Sequence, residues 1–239
     1  TGFTSDTSLI SISGEGTVLN LSSVATFNDQ FEGSGGNSDV HSVNVSEGAS
    51  LNFSGLETIL LPQRSRDDLD FNINGANSKL DLSGLKTVEG GSATLSLNLT
   101  GTTDVFLSSL ESVKNSIFNL NDNAEVTIDS GELATLTNSR FFIGEGSQLI
   151  ADADATATYR TTGFTSDTSL ISISGEGTVL NLSSVATFND QFEGSGGNSD
   201  VHSVNVSEGA SLNFSGLETI LLPQRSRDDL DFNINGANS

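Results

Sequence analysis

The chain contains no cysteine, methionine or tryptophan, and it has a single tyrosine and two prolines in 239 residues. Without cysteine it can form neither disulfide bonds nor thiolate zinc sites. Its apolar runs fall well short of the roughly 18–20 residues that a membrane-spanning helix needs. We therefore expect neither a disulfide scaffold nor membrane insertion in this segment.

Basic residues are also scarce. Nine Lys and Arg stand against 31 Asp and Glu, which gives a formal net charge of −22. Nucleic-acid binding needs a basic stripe, and adhesion to anionic lipid has a similar requirement. We predict no nucleic-acid partner. A high acidic charge does favour the solubility of a long fibre, and it attracts divalent cations.

The most informative feature present is a duplication. Residues 1–78 recur without change as residues 162–239, at an offset of 161. An identical long period is typical of repeat proteins. We interpret 1–161 as one full tandem repeat and 162–239 as part of a second. Neither end resembles a polar capping repeat, so we expect one continuous solenoid taken from a longer array.

A shorter period runs inside the long one. Each unit has a leading apolar residue, a second apolar residue two positions later, a small pair and a further apolar residue, and an alternating apolar segment precedes it. Strict alternation predicts a strand with one buried face, and the Gly and Asn residues between segments predict tight bends. Six units fill one long repeat, and their leading residues are Leu19, Leu51, Leu80, Val105, Val126 and Leu149, after which Leu180 restarts the series.

Three short strands per unit predict an all-β fold, a right-handed parallel β-helix of about eight coils. The right hand is the one that parallel crossovers favour. Each coil adds about 4.8 Å along the axis, so the long repeat should rise about 29 Å and the chain should form a rod roughly 40 Å long.

The unit length varies because one connection varies, the one between the third strand of a coil and the first strand of the next. It is long at 28–39, 61–68 and 156–169. Insertions at one corner of a repeat fold often mark its binding face, and Arg and Tyr are common interface residues. The alternative is a set of solvated loops with incidental charge. The candidate interaction ridge comprises Phe31, Arg64, Arg66, Tyr159, Arg160, Arg225 and Arg227, with Phe3 and Phe164 nearby.

Metal binding is an alternative function for the same loops. Calcium takes six to eight closely placed oxygen ligands, but neither an EF-hand loop nor the glycine-rich nonapeptide of calcium β-rolls is present. We predict no cofactor and no metal site, and calcium is the alternative to test. The candidate acid groups are Asp67/Asp68/Asp70, Asp152/Asp154 and Asp29/Glu32/Asp39.

Catalysis is the remaining alternative. His41 and its copy His202 are the only histidines, with Asp39, Arg64 and Arg66 on the same loop side. Some β-helix enzymes cleave acidic polysaccharides with such residues, but no carboxylate pair suited to glycoside hydrolysis stands out. We interpret both histidines as surface-loop residues and predict no catalytic residues and no enzyme.

The coil pattern LDLSGLKTVEGGSATLSLNL (80–99) resembles the β-solenoid repeat region of very large bacterial surface proteins and adhesins, including filamentous-haemagglutinin-like proteins. It is also similar to the L domain of growth-factor receptors, but those domains carry cysteine and are not identical tandem arrays.

The bacterial resemblance implies an extracellular, cell-surface location and a role as a rigid stalk or adhesin. Neighbouring copies or cell-surface glycans would be its partners. The alternatives are a self-assembling extracellular filament or sheath subunit, associating through coil ends or the ridge, and a polysaccharide-active β-helix enzyme.

Overall fold

The computed structural model describes residues 5–32, 38–151, 156–194 and 199–236. Within these ranges the regular elements are 25 strands, which lie in three parallel sheets, here called A, B and C. Successive strands along the chain belong to sheets A, B and C in turn, and each strand pairs with the equivalent strand of the neighbouring coil. The predicted all-β fold, a parallel β-helix of about eight coils with three strands each, is confirmed.

The strands are numbered in chain order. Sheet A holds β1 Thr7–Ser13, β4 Val40–Ser46, β7 Asp68–Asn74, β10 Thr94–Thr100, β13 Ser116–Asn121, β16 Arg140–Gly144, β19 Thr168–Ser174, β22 Val201–Ser207 and β25 Asp229–Asn235. Sheet B holds β2 Val18–Asn20, β5 Ser50–Asn52, β8 Lys79–Asp81, β11 Asp104–Phe106, β14 Glu125–Ile128, β17 Gln148–Ala151, β20 Val179–Asn181 and β23 Ser211–Asn213. Sheet C holds β3 Thr26–Asn28, β6 Thr58–Leu61, β9 Thr87–Gly90, β12 Ser112–Lys114, β15 Thr135–Thr137, β18 Ala157–Arg160, β21 Val185–Asn189 and β24 Thr219–Leu221.

The leading apolar residues stack one above another in sheet B. Leu19 pairs with Leu51, Leu51 with Leu80, and the column continues in register to Leu180. The residues between Leu51 and Leu180 in this column are almost wholly buried. Because side chains alternate along a strand, this register places one apolar row inside every coil.

The hydrophobic core crosses the boundary between the two copies without a break. Tyr159, in the last coil of the first copy, lies 5.8 Å from the ring of Phe141 and 4.9 Å from that of Phe188, in the second copy. Strands β16, β17 and β18 pair with β19, β20 and β21 respectively. The junction therefore has the same three-sheet pairing as any other pair of coils.

An asparagine ladder runs along the outer face of sheet A. The side-chain amide of Asn72 donates to Asn44 at 3.0 Å, that of Asn98 to Asn72 at 2.8 Å, and that of Asn119 to Asn98 at 2.6 Å. Asn233 donates to Asn205 in the second copy at 3.1 Å. The amides of the ladder, which are half-buried except at exposed Asn233, satisfy one another from coil to coil, and this reinforces the register of the backbone ladder.

The Ser-Gly pairs at the corner between sheets B and C have a steric cause. A Cβ placed on Gly55 would lie 2.0 Å from the carbonyl oxygen of Ser22 in the coil below, and one on Gly84 would lie 2.3 Å from that of Ser54. Neither glycine has a positive φ. Close approach between coils, rather than backbone freedom, therefore selects glycine here.

Candidate functional site

The corner between sheets C and A has the variable connection that the sequence predicts. The long connections are 29–39, 62–67, 161–167, 190–200 and 222–228, and the short ones are 91–93, 115 and 138–139. The other two corners keep nearly constant lengths. The loops therefore form a ridge on one side of the rod, interrupted by three consecutive coils with short connections.

Arg64 is bound within the ridge rather than free at its surface. Its Nε and Nη2 donate to the two oxygens of buried Asp67 at 2.8 and 2.6 Å, and Nη2 also reaches Asp39 at 3.3 Å. Two parallel bonds from guanidinium to carboxylate are the strongest form of this pair. Arg64 therefore closes the 62–67 loop onto the preceding one.

The second copy repeats this arrangement with different distances. Arg225 lies 3.4 Å from Asp228 and 4.0 Å from Asp200. Burial alone would raise the pKa of Asp228, but hydrogen bonds from the amides of Gly194 and Asp200, together with Arg225, hold that pKa below its ordinary value. The predicted ridge residues Arg64 and Arg225 thus fasten loops together.

Arg66, Arg160 and Arg227 are the exposed members of the predicted ridge. Arg66 and Arg227 occupy equivalent positions in the two copies, and Arg160 ends strand β18. Among the arginines of the predicted ridge, these three are more exposed than Arg64 and Arg225.

Phe31 does not lie at the surface as a contact residue would. It is 4% exposed, and its ring stacks on that of His41 at 3.7 Å with an interplanar angle of 22°. His41 Nδ1 donates to Asp29 Oδ1 at 2.6 Å. Burial raises the pKa of Asp29 above its ordinary value, although the hydrogen bond from His41 opposes this.

The interpretation of His41 as a surface-loop residue is wrong. His41 lies in strand β4 and is 2% exposed. It is in phase with Val43 and Val45, which also point inward. The alternation in the sequence VHSVNV (40–45) therefore indicates that this histidine faces the core. The predicted neighbour Asp39 bonds to Arg64 instead, so the structure brings together Asp29, Phe31 and His41 and not the predicted set.

His202 repeats this arrangement in a more enclosed form. Its Nδ1 donates to Asp190 Oδ1 at 2.6 Å, and its ring stacks on Phe192 at 3.6 Å. The hydroxyl of Thr161 also donates to Asp190, and the edge of Phe164 approaches the ring from the preceding coil. Thr161 and Phe164 follow the last strand of the first copy, so the repeat junction completes this cluster.

Tyr159 also differs from the prediction, which placed it in a loop. It lies in strand β18, is 0% exposed, and its hydroxyl donates to the carbonyl of Ser139 at 2.7 Å. Burial raises its pKa well above the ordinary value. Tyr159 is therefore a core residue of the repeat junction and cannot contact a partner at the surface.

Most of the candidate calcium ligands have other partners. Asp67 and Asp39 bind Arg64, Asp29 binds His41, and Asp68 accepts from the amide of Thr94 at 3.3 Å. Asp152 and Asp154, like Phe3, lie outside the described residues. Within the described ranges, no group of three or more acidic or histidine side chains is placed to hold a metal ion.

The three short connections form a depression in the ridge, which we call the saddle. Asn115 alone makes one connection, with φ of 52°, and Asn138 begins the next with φ of 50°. Asn reaches this left-handed region more readily than most residues. The Asn138 side chain accepts from the amide of Gly163 at 2.9 Å, which holds the 161–167 loop against the saddle. The prediction concentrated on the long loops and missed this site.

In comparisons with known proteins, no family model, no curated protein and no solved structure matches this chain.

Proposed function

We propose that this protein is a structural and adhesive repeat segment of a long extracellular surface protein, acting as a rigid stalk that carries a recurring loop ridge. The observation that carries the proposal is the repeat junction. Tyr159 and Thr161 of one copy contact Phe188 and Asp190 of the next, and all three sheets continue across the junction.

The equivalent surface at the start of the first copy is open, and it shows what the junction contributes. A cavity of about 460 Å³ there is lined by Phe27, Asp29, Phe31 and His41. These are the counterparts of the residues that the last coil of the first copy covers at the junction. The equivalent residues pack against the last coil of a repeat at the junction, which supports a tandem array over isolated domains.

Length as a function of copy number tests the stalk. We expect proteins with two, three and four complete repeats to be single rods, each repeat adding about 29 Å. Small-angle scattering and negative-stain images measure that increment. A length that does not increase linearly, or images of separate beads on a flexible string, would overturn the rigid stalk.

A cell-surface location is part of the same proposal, and its support is the resemblance to bacterial surface repeats. Within the described residues no helix is long and apolar enough to cross a membrane. Labelling intact source cells with an antibody to the ridge should stain them before permeabilisation. Staining only after permeabilisation would contradict the location.

A filament formed through coil ends is a second candidate, because apolar side chains are exposed at both ends of the described rod. Val18 is 66% exposed at one end, and Leu222 and Ile234 are 60% and 61% exposed at the other. An uncovered strand edge beside such residues can pair with another chain. Sedimentation velocity should then show end-to-end species that grow with concentration, whereas single rods at every concentration favour the stalk.

A further inference from the structure

The saddle is bounded on both sides along the rod. The 62–67 and 161–167 loops rise at its two ends, and the short connections 91–93, 115 and 138–139 form its floor. Together they enclose a cavity of about 280 Å³. That volume is close to the lower end of the range for ligand pockets, roughly 300–1,000 Å³.

The floor of the saddle offers both hydrogen-bond donors and acceptors. Ser92 and Thr94 contribute hydroxyls, and Asn115 and Asn138 contribute amides. The two amides are fixed by the contact of Asn138 Nδ2 with Asn115 Oδ1 at 3.4 Å and by the bond from Gly163. Polar groups held in place in this way bind a ligand without first losing rotamer freedom.

Arg140 stands at one wall of the saddle between two aromatic rings. Its guanidinium carbon lies 5.6 Å from the ring centre of Phe142 and 5.8 Å from that of Phe164. Among the residues that the structure describes, no carboxylate forms an ion pair with it. Asp68 is near enough to interact with its charge, but it lies beyond ion-pair distance, so the N–H groups of the guanidinium can donate to a ligand.

These features favour one class of ligand. A hydroxyl-rich sugar needs hydrogen-bond donors and acceptors together, and an apolar group against the C–H groups of its ring. The hydroxyls, amides and guanidinium of the saddle supply the first two, and Phe164 supplies the third. A polyanion would be repelled by the charge of the rod. We propose that the saddle is a glycan-binding subsite for a short stretch of neutral oligosaccharide.

The subsite refines the adhesive part of the proposed function and rests on it. Its residues belong to one repeat except for Gly163 and Phe164, which begin the next, so an array presents one saddle wherever one repeat follows another, always on the same side of the rod. Single sugar contacts are weak, but sites at fixed separation add their affinities when one polymer spans several of them.

The test is a saturation-transfer NMR titration of the chain with four probes, namely maltotetraose, cellotetraose, mannotetraose and chitotetraose. We expect at least one to bind saturably in the millimolar range. Arg140→Ala should weaken that binding by about fivefold or more, the effect of removing a central contact. Asn115→Gly, which removes the amide but keeps the left-handed backbone accessible, should do the same.

Lys79→Ala is the matched control, because it removes an exposed cation in strand β8 of sheet B, away from the saddle, and binding should be unchanged. Circular dichroism checks that each variant keeps its strands. No saturable binding to any probe, unchanged binding in both saddle variants, or binding of an acidic peptide but not of the sugars would overturn the subsite. The rod-length measurement is independent, so failure here is distinguishable from failure of the stalk.

Discussion

The first coils of the two copies have the same sequence but different surroundings. Strand β1 is partly exposed throughout, whereas in the identical strand β19 the side chains of Leu170, Ile171 and Ile173 are buried. Leu19 is half-buried, and its copy Leu180 is 0% exposed. The difference is the coil formed by β16, β17 and β18, which lies beneath the second copy, whereas β1 is the edge strand of its sheet among the described residues.

The opposite end repeats the comparison in reverse. Phe71 in β7 is 0% exposed because coils lie on both sides of it, and its copy Phe232 in β25 is 43% exposed. One sequence therefore yields either a core or a surface, depending on whether a neighbouring coil is present. This is the nearest-neighbour energetics expected of a solenoid, and it supplies matched pairs of sites within a single chain.

The largest expected effect comes from removing the ring at Phe71. Phe71→Ala should lower the free energy of unfolding by about 3–5 kcal/mol, because it leaves a cavity in a fully packed core. Phe232→Ala should cost less than half as much, since that ring is already partly in water. Urea titration followed by circular dichroism measures both. Equal losses would show that the end coil is packed in solution as tightly as the interior.

The next largest loss of stability is expected at the two aspartates that bond to the buried histidines. Asp190→Asn should destabilise by about 1–3 kcal/mol, because it disturbs the partner of a buried ring nitrogen. Asp29→Asn should cost less, because Asp29 borders the open cavity whereas Asp190 is covered by Thr161. The same titrations apply, and the comparison fails if Asp29→Asn is the more damaging change.

The asparagine ladder predicts a smaller difference. Asn98→Ala removes two ladder bonds, one donated and one accepted, and should cost about 1–2 kcal/mol. Asn233→Ala removes the single bond to Asn205 on the last described strand, so about half that loss is expected. If the two variants melt at the same temperature, the ladder contributes nothing beyond the backbone pairing.

The smallest effect concerns pH. Burial raises the pKa of Asp70 above 3.8, although a hydrogen bond with Ser96 opposes this. The folded state then binds the proton more tightly than the unfolded state, so this carboxyl lowers stability as the pH rises from 3.8 through the folded pKa.

Asp70→Asn should therefore stabilise at neutral pH and reduce the gain in stability on acidification to about pH 4. Asp231→Asn, at the equivalent place on the exposed strand β25, is the control. Thermal melts at the two pH values measure the difference, and an unchanged difference in Asp70→Asn would refute the burial effect.

Much of the fold is predictable from the sequence because the coil pattern is periodic. The stacked column from Leu19 to Leu180 and the confinement of the main length changes to one corner both follow from spacing alone. The asparagine ladder was missed, although Asn44, Asn72, Asn98 and Asn119 each stand between two apolar residues. That regularity is visible once the strands are aligned.

The ridge is less predictable, because loop position does not determine exposure. Tyr159 belongs to the alternation of Ala157 and Tyr159 in strand β18, whereas the prediction counted it within the long connection 156–169. Phe31 lies beyond the end of β3 but in phase with Phe27 and Asp29. This alternation continues into a long connection, so the sequence alone does not show that the ring of His41 covers it. The saddle exists because three consecutive coils lack a long connection, so no single sequence segment encodes it.

The strand order in the three sheets has a mechanical consequence. Each strand bonds only to the coils before and after it, so tension along the rod should peel coils from an end one at a time. The chain from Leu80 to Val105 makes one coil that contributes about 4.8 Å when folded and roughly 85 Å when extended, at about 3.4 Å per residue. A tethered array would thus lengthen under shear in steps of about 80 Å per coil and rewind on release, absorbing load that a stiff fibre would pass on to its attachment point.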